Sequence, residues 1–454
     1  MEDSIMEQDR YPLTYRALQV RQVISWIKAG QSGCIVGLRG GGISNVLHFL
    51  LLEEAHQQYL KEDYDDFAFI LIDLLALTEC TEWAVCELIL DRLLAHFHSH
   101  GIKEDTSREM ASLQREVIRS RNLFSAYRAV ERCMDILCRP PSQRIVLLFS
   151  EFDEVFRTLD PSLFRCLRAI RNAHKGQVCY VVAVTNELAR LRNDLAEVEH
   201  FYQLVSRNVC YLGPFCEAET RHMIHYLSAR RPVGLSEEDT ARLVELSGGH
   251  PGLLKAILSL LWNARQEGNL EELAATLKDE RAVQAECQKV WESLSASEQS
   301  ALYTLVAGAQ VAPNILCRLK HRGVVRAGQL GSLIFSPLFA HFVSQHPRPS
   351  TQGTLVSRDP PIVQIDGQLV ENLTELEFEM LCYLYEHWGQ VCTKDELIAS
   401  IYHQKYERMK GGVTDEALQR LVSRLRSKIE PAERPRYIVT VRGEGYKFVD
   451  PDRQ

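Results

Sequence analysis

The sequence lacks the features that mark membrane, secreted and zinc-binding proteins. No apolar run among its 454 residues approaches the roughly 20 residues that a transmembrane helix needs. The N-terminal stretch MEDSIMEQDRYPLTYR is acidic and has no apolar centre, so we expect no signal peptide. The 13 cysteines are scattered without a C-x-x-C pair, which predicts reduced, mostly buried thiols in a cytoplasmic protein without a metal site.

The chain also lacks an excess of positive charge. Its formal net charge is -8, so the chain as a whole carries no nucleic-acid signature. Hydrophobic residues make up 46% and charged residues 25%, which is typical of globular proteins. A chain of this length predicts several domains, and a nucleic-acid function has to rest on local charge.

A third absence concerns a phosphate-binding loop. The stretch GLRGGGIS follows the apolar stretch SGCIV and precedes a helical pattern. Gly37, Gly42 and Ser44 match the motif G-x-x-x-x-G-K-[ST], but Ile43 stands in the lysine position. The glycines can still form a backbone cradle, whereas the positive charge that reaches the phosphates is lost. Whether Arg39, inside the loop, compensates is left open.

The acidic strand IVLLFSEFDEVF is weakened as well. Such a strand normally ends in Asp, which holds Mg²⁺ through water, followed by Glu, which polarises the attacking water. Ser150 occupies the Asp position and Glu151 follows it, while Asp153 and Glu154 come after the strand. Two losses in one site predict that hydrolysis is lost and leave binding of ATP or ADP open.

Alternating strands and helices over residues 32–215 predict an α/β core, a parallel sheet with helices on both faces. The glycine loop, the acidic segment and Thr185-Asn186 all follow predicted strands, where parallel sheets bind ligands. Thr185-Asn186 lies where related ATPases sense the γ-phosphate, although many strands end in polar residues. The predicted strands are Gly33–Val36, Phe67–Asp73, Arg144–Phe149, Val178–Thr185 and Asn208–Leu212.

The pattern after residue 215 predicts three further domains. It becomes wholly helical, with a glycine stop before Pro251 in the first turn of a helix, and then predicts a small winged helix with a hairpin around Gly328–Gly331. A segment rich in Pro, Ser, Thr and Gly precedes a last, α+β module. The predicted domains are a core at 1–215, a helical lid at 216–285, a winged helix at 286–345, a linker at 346–361 and the last module at 362–454.

The order of these pieces resembles the STAND class of AAA-like P-loop NTPases over roughly residues 10–345. YRALQVRQVISWIKAGQSGCIVGLRGGGISNVLHFL resembles the class opening, SGGHPGLLKAI its glycine-x-proline lid element and IFSPLFAHFV its internal winged helix. In the class, the lid proline lies against adenine, and core and lid close around nucleotide. With Ile43 and Ser150, the resemblance implies a degenerate core in which Glu151 is vestigial. The nucleotide-binding residues it implies are Gly37, Gly40, Gly41, Gly42, Ser44, Asn45 and Pro251.

The last module has local signals for each of its elements. IVQIDGQLV predicts two strands that turn at Asp366-Gly367. Thr374 with Glu377, and Thr393 with Glu396, form the capping boxes of two helices. TDEALQRLVSRLRSKIE predicts a third helix, and RYIVTVRGEGYKFV predicts a hairpin. Together these stretches resemble the winged-helix DNA-binding domain of the OmpR/PhoB type.

The third helix has one apolar and one polar face. Leu418, Val422, Leu425 and Ile429 repeat at helical spacing and should face the core. The remaining positions can enter a major groove, where Arg reads guanine and other side chains hold phosphate. By resemblance, Arg442 of the wing reaches the minor groove and Thr440 a phosphate. The predicted DNA-binding residues of the helix are Gln419, Arg420, Ser423, Arg424, Arg426 and Lys428.

Charge is segregated within this module. Lys405 to Lys447 holds 11 basic and 6 acidic residues, whereas Asp366 to Glu396 holds 8 acidic residues and one lysine. A basic half on an acidic body is the expected footprint of DNA binding. The loop QKYERMKGG is basic too, and in this family that loop often meets RNA polymerase or a neighbouring copy. Here contact with such a partner and contact with phosphate alone both stay open.

The stretch HFHSH has two interpretations. His96 and His100 would share one face of a helix and could bind a metal. The alternative is that they lie at a helix C-terminus stopped by Gly101, where histidine interacts favourably with the helix dipole. We favour the helix terminus.

The sequence therefore predicts a cytoplasmic, DNA-binding transcription regulator with a catalytically degenerate STAND-like core for sensing or oligomerisation. Its predicted partner is double-stranded DNA and not a membrane; RNA polymerase, a signalling protein and a second copy stay open. Competing hypotheses are a live ATP/ADP switch and a scaffold whose winged helices bind proteins. A replication-initiator-like AAA⁺ protein is disfavoured by the second winged helix and its hairpin.

Overall fold

The structure is a computed structural model, and the chain divides into two compact units, Met1–Gln345 and His346–Gln454. The residues that it describes are 11–101, 103–139, 143–192, 195–229, 234–264, 276–328, 331–346, 354–358, 361–365, 368–370, 373–402, 415–429, 437–441 and 444–449.

A sheet of five parallel strands forms the centre of the first unit, in the order β2-β3-β4-β1-β5. Its strands are almost continuously apolar because helices cover both faces. Each predicted strand is confirmed to within one residue at each end. The strands are β1 (Gly33–Gly37), β2 (Phe67–Asp73), β3 (Arg144–Ser150), β4 (Val178–Val184) and β5 (Val209–Leu212).

Two apolar clusters, one on each face of the sheet, fix the helices of the core. Ile35 points into one cluster with the first helices, and Val36 points into the other with most of the later ones. The predicted parallel sheet with helices on both faces is thus confirmed. The helices are α1 (Ala17–Lys28), α2 (Ile43–Phe49), α3 (Glu53–Leu60), α4 (Glu82–Ser99), α5 (Glu104–Ser120), α6 (Leu123–Leu137), α7 (Phe152–Thr158), α8 (Pro161–Ala173), α9 (Leu188–Leu191) and α10 (Leu195–Ser206).

Helices continue from the core into the lid and the winged helix. A single helix crosses the predicted boundary at 285/286, and Val283, Cys287 and Val290 form one buried face along it. The hairpin predicted at Gly328–Gly331 is confirmed. The elements are α11 (Glu217–Ala229), α12 (Glu237–Ser247), α13 (Pro251–Ala264), α14 (Arg281–Glu292), α15 (Ala296–Val306), α16 (Pro313–His321), β6 (Val325–Gly328), β7 (Gly331–Ile334) and α17 (Pro337–Gln345).

The described residues of the second unit form three helices and six short strands. Both predicted capping boxes are present, with Thr374 N 2.8 Å from Glu377 Oε2 and Thr393 N 2.8 Å from Glu396 Oε2. The predicted turn at Asp366-Gly367 lies outside the described residues. The elements are β8 (Thr354–Arg358), β9 (Pro361–Ile365), β10 (Gln368–Leu369), α18 (Glu375–Glu386), β11 (Val391–Thr393), α19 (Lys394–Tyr402), α20 (Asp415–Ile429), β12 (Ile438–Val441) and β13 (Gly445–Phe448).

Two strands of this unit were missed from the sequence. β8 lies inside the predicted linker 346–361 and pairs antiparallel with β9, and its Val356 packs against the core of the unit. The linker prediction is therefore too long, and the module begins by Thr354. β11 pairs with β13 and completes a second three-stranded sheet with β12.

The prediction of reduced, mostly buried thiols is confirmed, because none of the 13 cysteines forms a disulfide and ten of them are buried. Nothing in the described part of the chain forms a helix both long and apolar enough to cross a bilayer.

Candidate nucleotide site and candidate DNA interface

The glycine loop connects β1 to α2 with a backbone that requires glycine. Gly40 and Gly42 have φ values of +74° and +89°, in the left-handed region that a side chain disfavours. Gly42 is the N-cap residue of α2, and the Gly41 amide donates to the Leu38 carbonyl at 2.9 Å. The loop thus keeps the tight turn of a phosphate-binding loop.

Ile43 uses the lysine position for packing. A Cβ atom on Gly37 would lie 2.6 Å from Ile43 Cγ1, so the isoleucine side chain folds back over the end of β1. Its apolar atoms contact the core on this face of the sheet. In an active enzyme, a lysine at this position would reach toward phosphate. Here Ile43 packs against the carboxyl end of β1 instead.

The lid contacts the loop through its backbone. His250 is fully buried, and its Nε2 lies 3.1 Å from the Arg39 carbonyl, while its Nδ1 accepts from the Leu253 amide at 3.2 Å. Burial lowers the pKa of His250 to about 4, which favours the neutral ring with the proton on Nε2. The Gly252 amide also donates to the Gly40 carbonyl at 3.1 Å. These bonds fasten the start of α13 to the loop.

Two acidic residues of α14 also meet the loop. A Cβ atom would lie 3.0 Å from Glu286 Oε2 if placed on Gly40, and 2.2 Å if placed on Gly252. Glu292 pairs with Arg39 at 3.6 Å, so the loop arginine faces a carboxylate of α14. Arg39 therefore has a partner within the chain.

Arg16 is a residue of this site that the sequence reasoning did not single out. It is 2% exposed, and its Nη2 donates to the Gly41 carbonyl at 3.2 Å while its Nη1 donates to the Pro214 carbonyl at 3.4 Å. Its guanidinium carbon lies 4.4 Å from the centre of the Phe215 ring. The sequence did offer one signal for Arg16, namely that it is a charged residue in the segment that precedes the first strand.

The acidic strand end is organised by hydrogen bonds between neighbouring strands. Ser150 donates from Oγ to Asp73 Oδ1 at 2.6 Å, because β2 and β3 place these two residues side by side. Asp153 accepts from the Thr185 amide at 3.0 Å and from its hydroxyl at 2.8 Å. Burial and the nearby Asp153 raise the pKa of Glu151, a half-buried residue with φ +49°. Asp153 therefore links the first turn of α7 to the end of β4.

The winged helix reaches the same edge of the sheet through Arg322. This residue is 3% exposed and donates to the carbonyls of Thr185 and Ser293, at 2.9 and 2.8 Å. It also pairs with Glu298, which is 1% exposed, at 3.0 Å. Thr185, where the sequence suggested a phosphate sensor, is thus in contact with the internal winged helix.

The charged residues beside the loop have partners within the chain. Arg39 pairs with Glu292, and Arg16 donates to the Gly41 carbonyl. The Glu286 carboxylate lies close to Gly40 and opposes the approach of an anion to that side of the loop. The glycine backbone itself remains suited to phosphate.

In the second unit, α20 presents the two faces that the sequence predicted. Leu418, Val422, Leu425 and Ile429 are buried, together with Leu421. The opposite face is exposed, as is required of a helix that enters a groove of duplex DNA. The exposed predicted residues are Gln419, Arg420, Ser423, Arg424 and Lys428.

Arg426 differs from the other predicted DNA contacts. Its Nε and Nη2 donate to the Ile438 carbonyl at 3.1 and 2.6 Å, and Nη2 donates to Thr440 Oγ1 at 2.9 Å. Both acceptors belong to β12, the first strand of the hairpin. Arg426 therefore holds the hairpin against α20. The predicted minor-groove residue, Arg442, lies outside the described residues.

Glu377 joins α18 to α20. It is 1% exposed, and its Oε2 lies 2.6 Å from Lys428 Nζ while its Oε1 lies 4.0 Å from Arg424 Nε. Burial alone would raise the pKa of Glu377, but hydrogen bonds from Lys428 and Thr374 hold it below its ordinary value. The carboxylate is thus ionised beside two of the cations on the exposed face of α20.

Comparison with family models covers both units. Residues 16–312 match the model described as Novel STAND NTPase 1, which spans well over half of the chain. The chain belongs to the Novel STAND NTPase 1 family. Residues 368–448 of this STAND protein match a second model, described as Transcriptional regulatory protein, C terminal. The chain thus combines a STAND NTPase core with a C-terminal DNA-binding domain of the OmpR/PhoB type.

Individual relatives of the STAND protein cover one unit each. The alkaline phosphatase synthesis transcriptional regulatory protein PhoP of Bacillus subtilis (strain 168) is 40% identical over 80 residues, 17% of this chain and 31% of that protein. The chain spans about a third of the length of the curated relatives it matches. The Walker-type ATPase PABY2304 of Pyrococcus abyssi is 14% identical, with a TM-score of 0.44, over 72% of this chain and 95% of that chain. The RstA DNA-binding domain of Klebsiella pneumoniae, in complex with the RstA box, is 31% identical, with a TM-score of 0.18. The match covers 21% of this chain and 91% of that chain.

The structure brings part of the predicted nucleotide site of the STAND protein together. A Cβ atom on Gly42 would lie 3.7 Å from both Asn45 Nδ2 and Pro251 Cγ, so loop, helix and lid proline meet. Ser44 is exposed in the first turn of α2. The nucleotide-binding and DNA-binding roles of individual residues stay predictions.

The histidines of α4 follow the helix-terminus interpretation. The helix ends at Ser99, and Gly101 has a φ of +76°. His100 Nδ1 lies 2.7 Å from the His96 carbonyl, and the two rings stack with centroids 4.2 Å apart. Burial lowers the pKa of His96 to about 4, so its neutral form is favoured.

Proposed function

We propose that this chain is a transcription regulator that binds duplex DNA through α20 and the adjacent hairpin and receives its signal through the STAND core. One observation carries the proposal: α20 buries its leucine face and exposes a polar face with cations at Arg420, Arg424 and Lys428. The hairpin that Arg426 holds beside this helix supports it. A helix with a neighbouring wing is suited to contact a groove and the flanking backbone.

We further propose that the core does not hydrolyse nucleotide and acts as a conformational sensor. Ile43 packs against the strand end, and the Ser150 hydroxyl is bonded to Asp73, so neither position supplies its usual chemistry. Arg39 faces Glu292. Without the lysine and the metal-binding Asp, the charge that develops on a transferring phosphoryl group loses two of its usual stabilising partners.

Binding to DNA is tested with the full chain and a duplex selected by that chain from a random pool. Affinity for this duplex and for a scrambled duplex is measured over a salt series, and we expect a selective, salt-dependent affinity. Failure to select any duplex, even at low salt, contradicts the proposal. That outcome instead favours the scaffold hypothesis, in which the winged helices bind proteins.

Hydrolysis is tested by phosphate release from ATP with Mg²⁺. We expect no turnover by the wild-type chain and no change in Glu151→Gln. Turnover that Glu151→Gln abolishes would instead support a regulator switched by ATP and ADP. The double variant Ile43→Lys with Ser150→Asp separates the cradle from its charges, because restored ATP affinity would show that the loop backbone still accepts phosphate.

A further inference from the structure

The cations on α20 differ in their surroundings within the free protein. Arg424 and Lys428 lie one helical turn apart, and the Glu377 carboxylate lies between them. The Arg424 side chain is 63% exposed, and its Nε lies 4.0 Å from Glu377 Oε1. Lys428 forms a closer pair, with its Nζ 2.6 Å from Glu377 Oε2. The negative charge therefore lies beside Arg424, one of the residues predicted to contact DNA.

Glu377 is fixed in this position by its own helix. It is the third residue of α18, and its Oε2 accepts the Thr374 amide while Thr374 Oγ1 accepts the Glu377 amide. A carboxylate held by a capping box cannot follow the α20 side chains when they move toward DNA. As Arg424 extends toward a base or a phosphate, its guanidinium moves away from this fixed charge.

We propose that Glu377 sets the sequence specificity of the DNA interface by competing with DNA for Arg424. This inference rests on the proposed DNA binding. A guanine offers two acceptors to an arginine in the major groove, and this bidentate contact outweighs a long ion pair. A lone phosphate contact offers less, so the carboxylate weakens non-cognate binding more than cognate binding.

The test variant is Glu377→Gln in the full chain, because glutamine keeps the capping box and removes only the charge. We expect the scrambled duplex to bind about 1.5-fold to fivefold more tightly, the range given by release of one partly exposed ion pair. Affinity for the selected duplex changes less, so the discrimination ratio falls. The salt slope on the scrambled duplex steepens by about one phosphate contact.

Two controls separate this effect from charge and from fold. Glu375→Gln removes the same charge from an exposed position two residues away on α18 and should leave the ratio unchanged. In a background with both Arg424→Ala and Lys428→Met, Glu377→Gln should no longer alter the ratio, because both cations beside the carboxylate are gone. A purely structural effect would weaken both duplexes and act equally in both backgrounds.

The results divide clearly between the two hypotheses. Wild-type discrimination that Glu377→Gln leaves unchanged overturns the role of Glu377 while the DNA-binding function stands. Absence of any binding by the wild-type chain overturns both. If Glu377→Gln fails to fold, Lys428→Met provides the test: it leaves Arg424 alone beside the carboxylate, and the ratio must rise or the inference is wrong.

Discussion

The buried pair of Glu298 and Arg322 makes a sharp prediction about stability. Glu298→Gln retains an amide oxygen and the start of α15, but it leaves the Arg322 guanidinium without a carboxylate at 3.0 Å. Three oxygens remain near Arg322, namely the two carbonyls and Asn186 Oδ1 at 3.3 Å. These acceptors are neutral and do not replace a counter-ion in a buried site.

The size of the effect follows from the burial of both partners, at 1% and 3% exposure. Removing one member of a buried ion pair costs about 3–5 kcal/mol, because the other charge stays desolvated. With an unfolding entropy of about 2.1 cal/mol/K per residue, a unit of this size loses about 4–7 °C in melting temperature.

Differential scanning calorimetry of the full chain measures this loss in melting temperature. The first unit is recognised by its larger unfolding enthalpy. The matched control is Glu298→Gln with Arg322→Met, which removes both charges and should recover part of the lost stability. A loss below about 1 kcal/mol in the single variant, or a double variant no more stable than the single one, refutes the reasoning.

Acid supplies an independent check on the same carboxylate. Burial alone would raise the pKa of Glu298, but the Arg322 charge and the Ser295 hydrogen bonds hold it below its ordinary value. A depressed carboxyl pKa contributes stability above the unfolded value, about 4.3, and that contribution is lost as pH falls through the folded pKa. Glu298→Gln should therefore lose less stability than the wild type below about pH 4.3.

Three further outcomes are expected. His250 has a folded pKa of about 4, below the ordinary value, so stability should fall by about 2–3 kcal/mol as pH drops from 6.5 to 4; an unchanged pH slope in His250→Gln contradicts this. Arg424→Ala should cost about 1–3 kcal/mol on the selected duplex and relax one position, whereas Arg426→Ala should weaken selected and scrambled duplexes alike through the hairpin. A fragment of residues 354–454 should melt higher than one of 362–454, and equal melting temperatures would place β8 outside the fold.

The sequence predicted those features that depend on local pattern. The five parallel strands are apolar runs, and each capping box, at Thr374 and at Thr393, is a pair of residues three positions apart. Both kinds of feature therefore follow from neighbours along the chain. β8 and β11 are short and lie in polar surroundings, and their pairing partners decide their structure. Their existence depends on tertiary contacts that composition does not record.

The candidate sites divide in the same way. The loss of lysine at Ile43 and of Asp at Ser150 is visible in the sequence, because the motif fixes their positions. The pairing of Arg39 with Glu292 and of Glu377 with Lys428 joins residues 253 and 51 positions apart. No periodicity predicts such pairs, so the roles of Arg426 and Arg16 could be assigned only once the fold had brought their partners together.

The carboxylates Glu298 and Glu377 each cap a helix and also bind a cation of another element. Opening of the helix end therefore requires that this bond to the cation breaks. Oε2 of Glu298 accepts hydrogen bonds from the Ser295 amide and from Arg322. Oε2 of Glu377 accepts hydrogen bonds from the Thr374 amide and from Lys428. In each case the cation belongs to another element of the same unit. The first turns of α15 and α18 therefore cannot open without freeing that cation. Amide hydrogens in these turns should exchange with solvent as slowly as those of the surrounding core, whereas ordinary helix ends exchange through local opening.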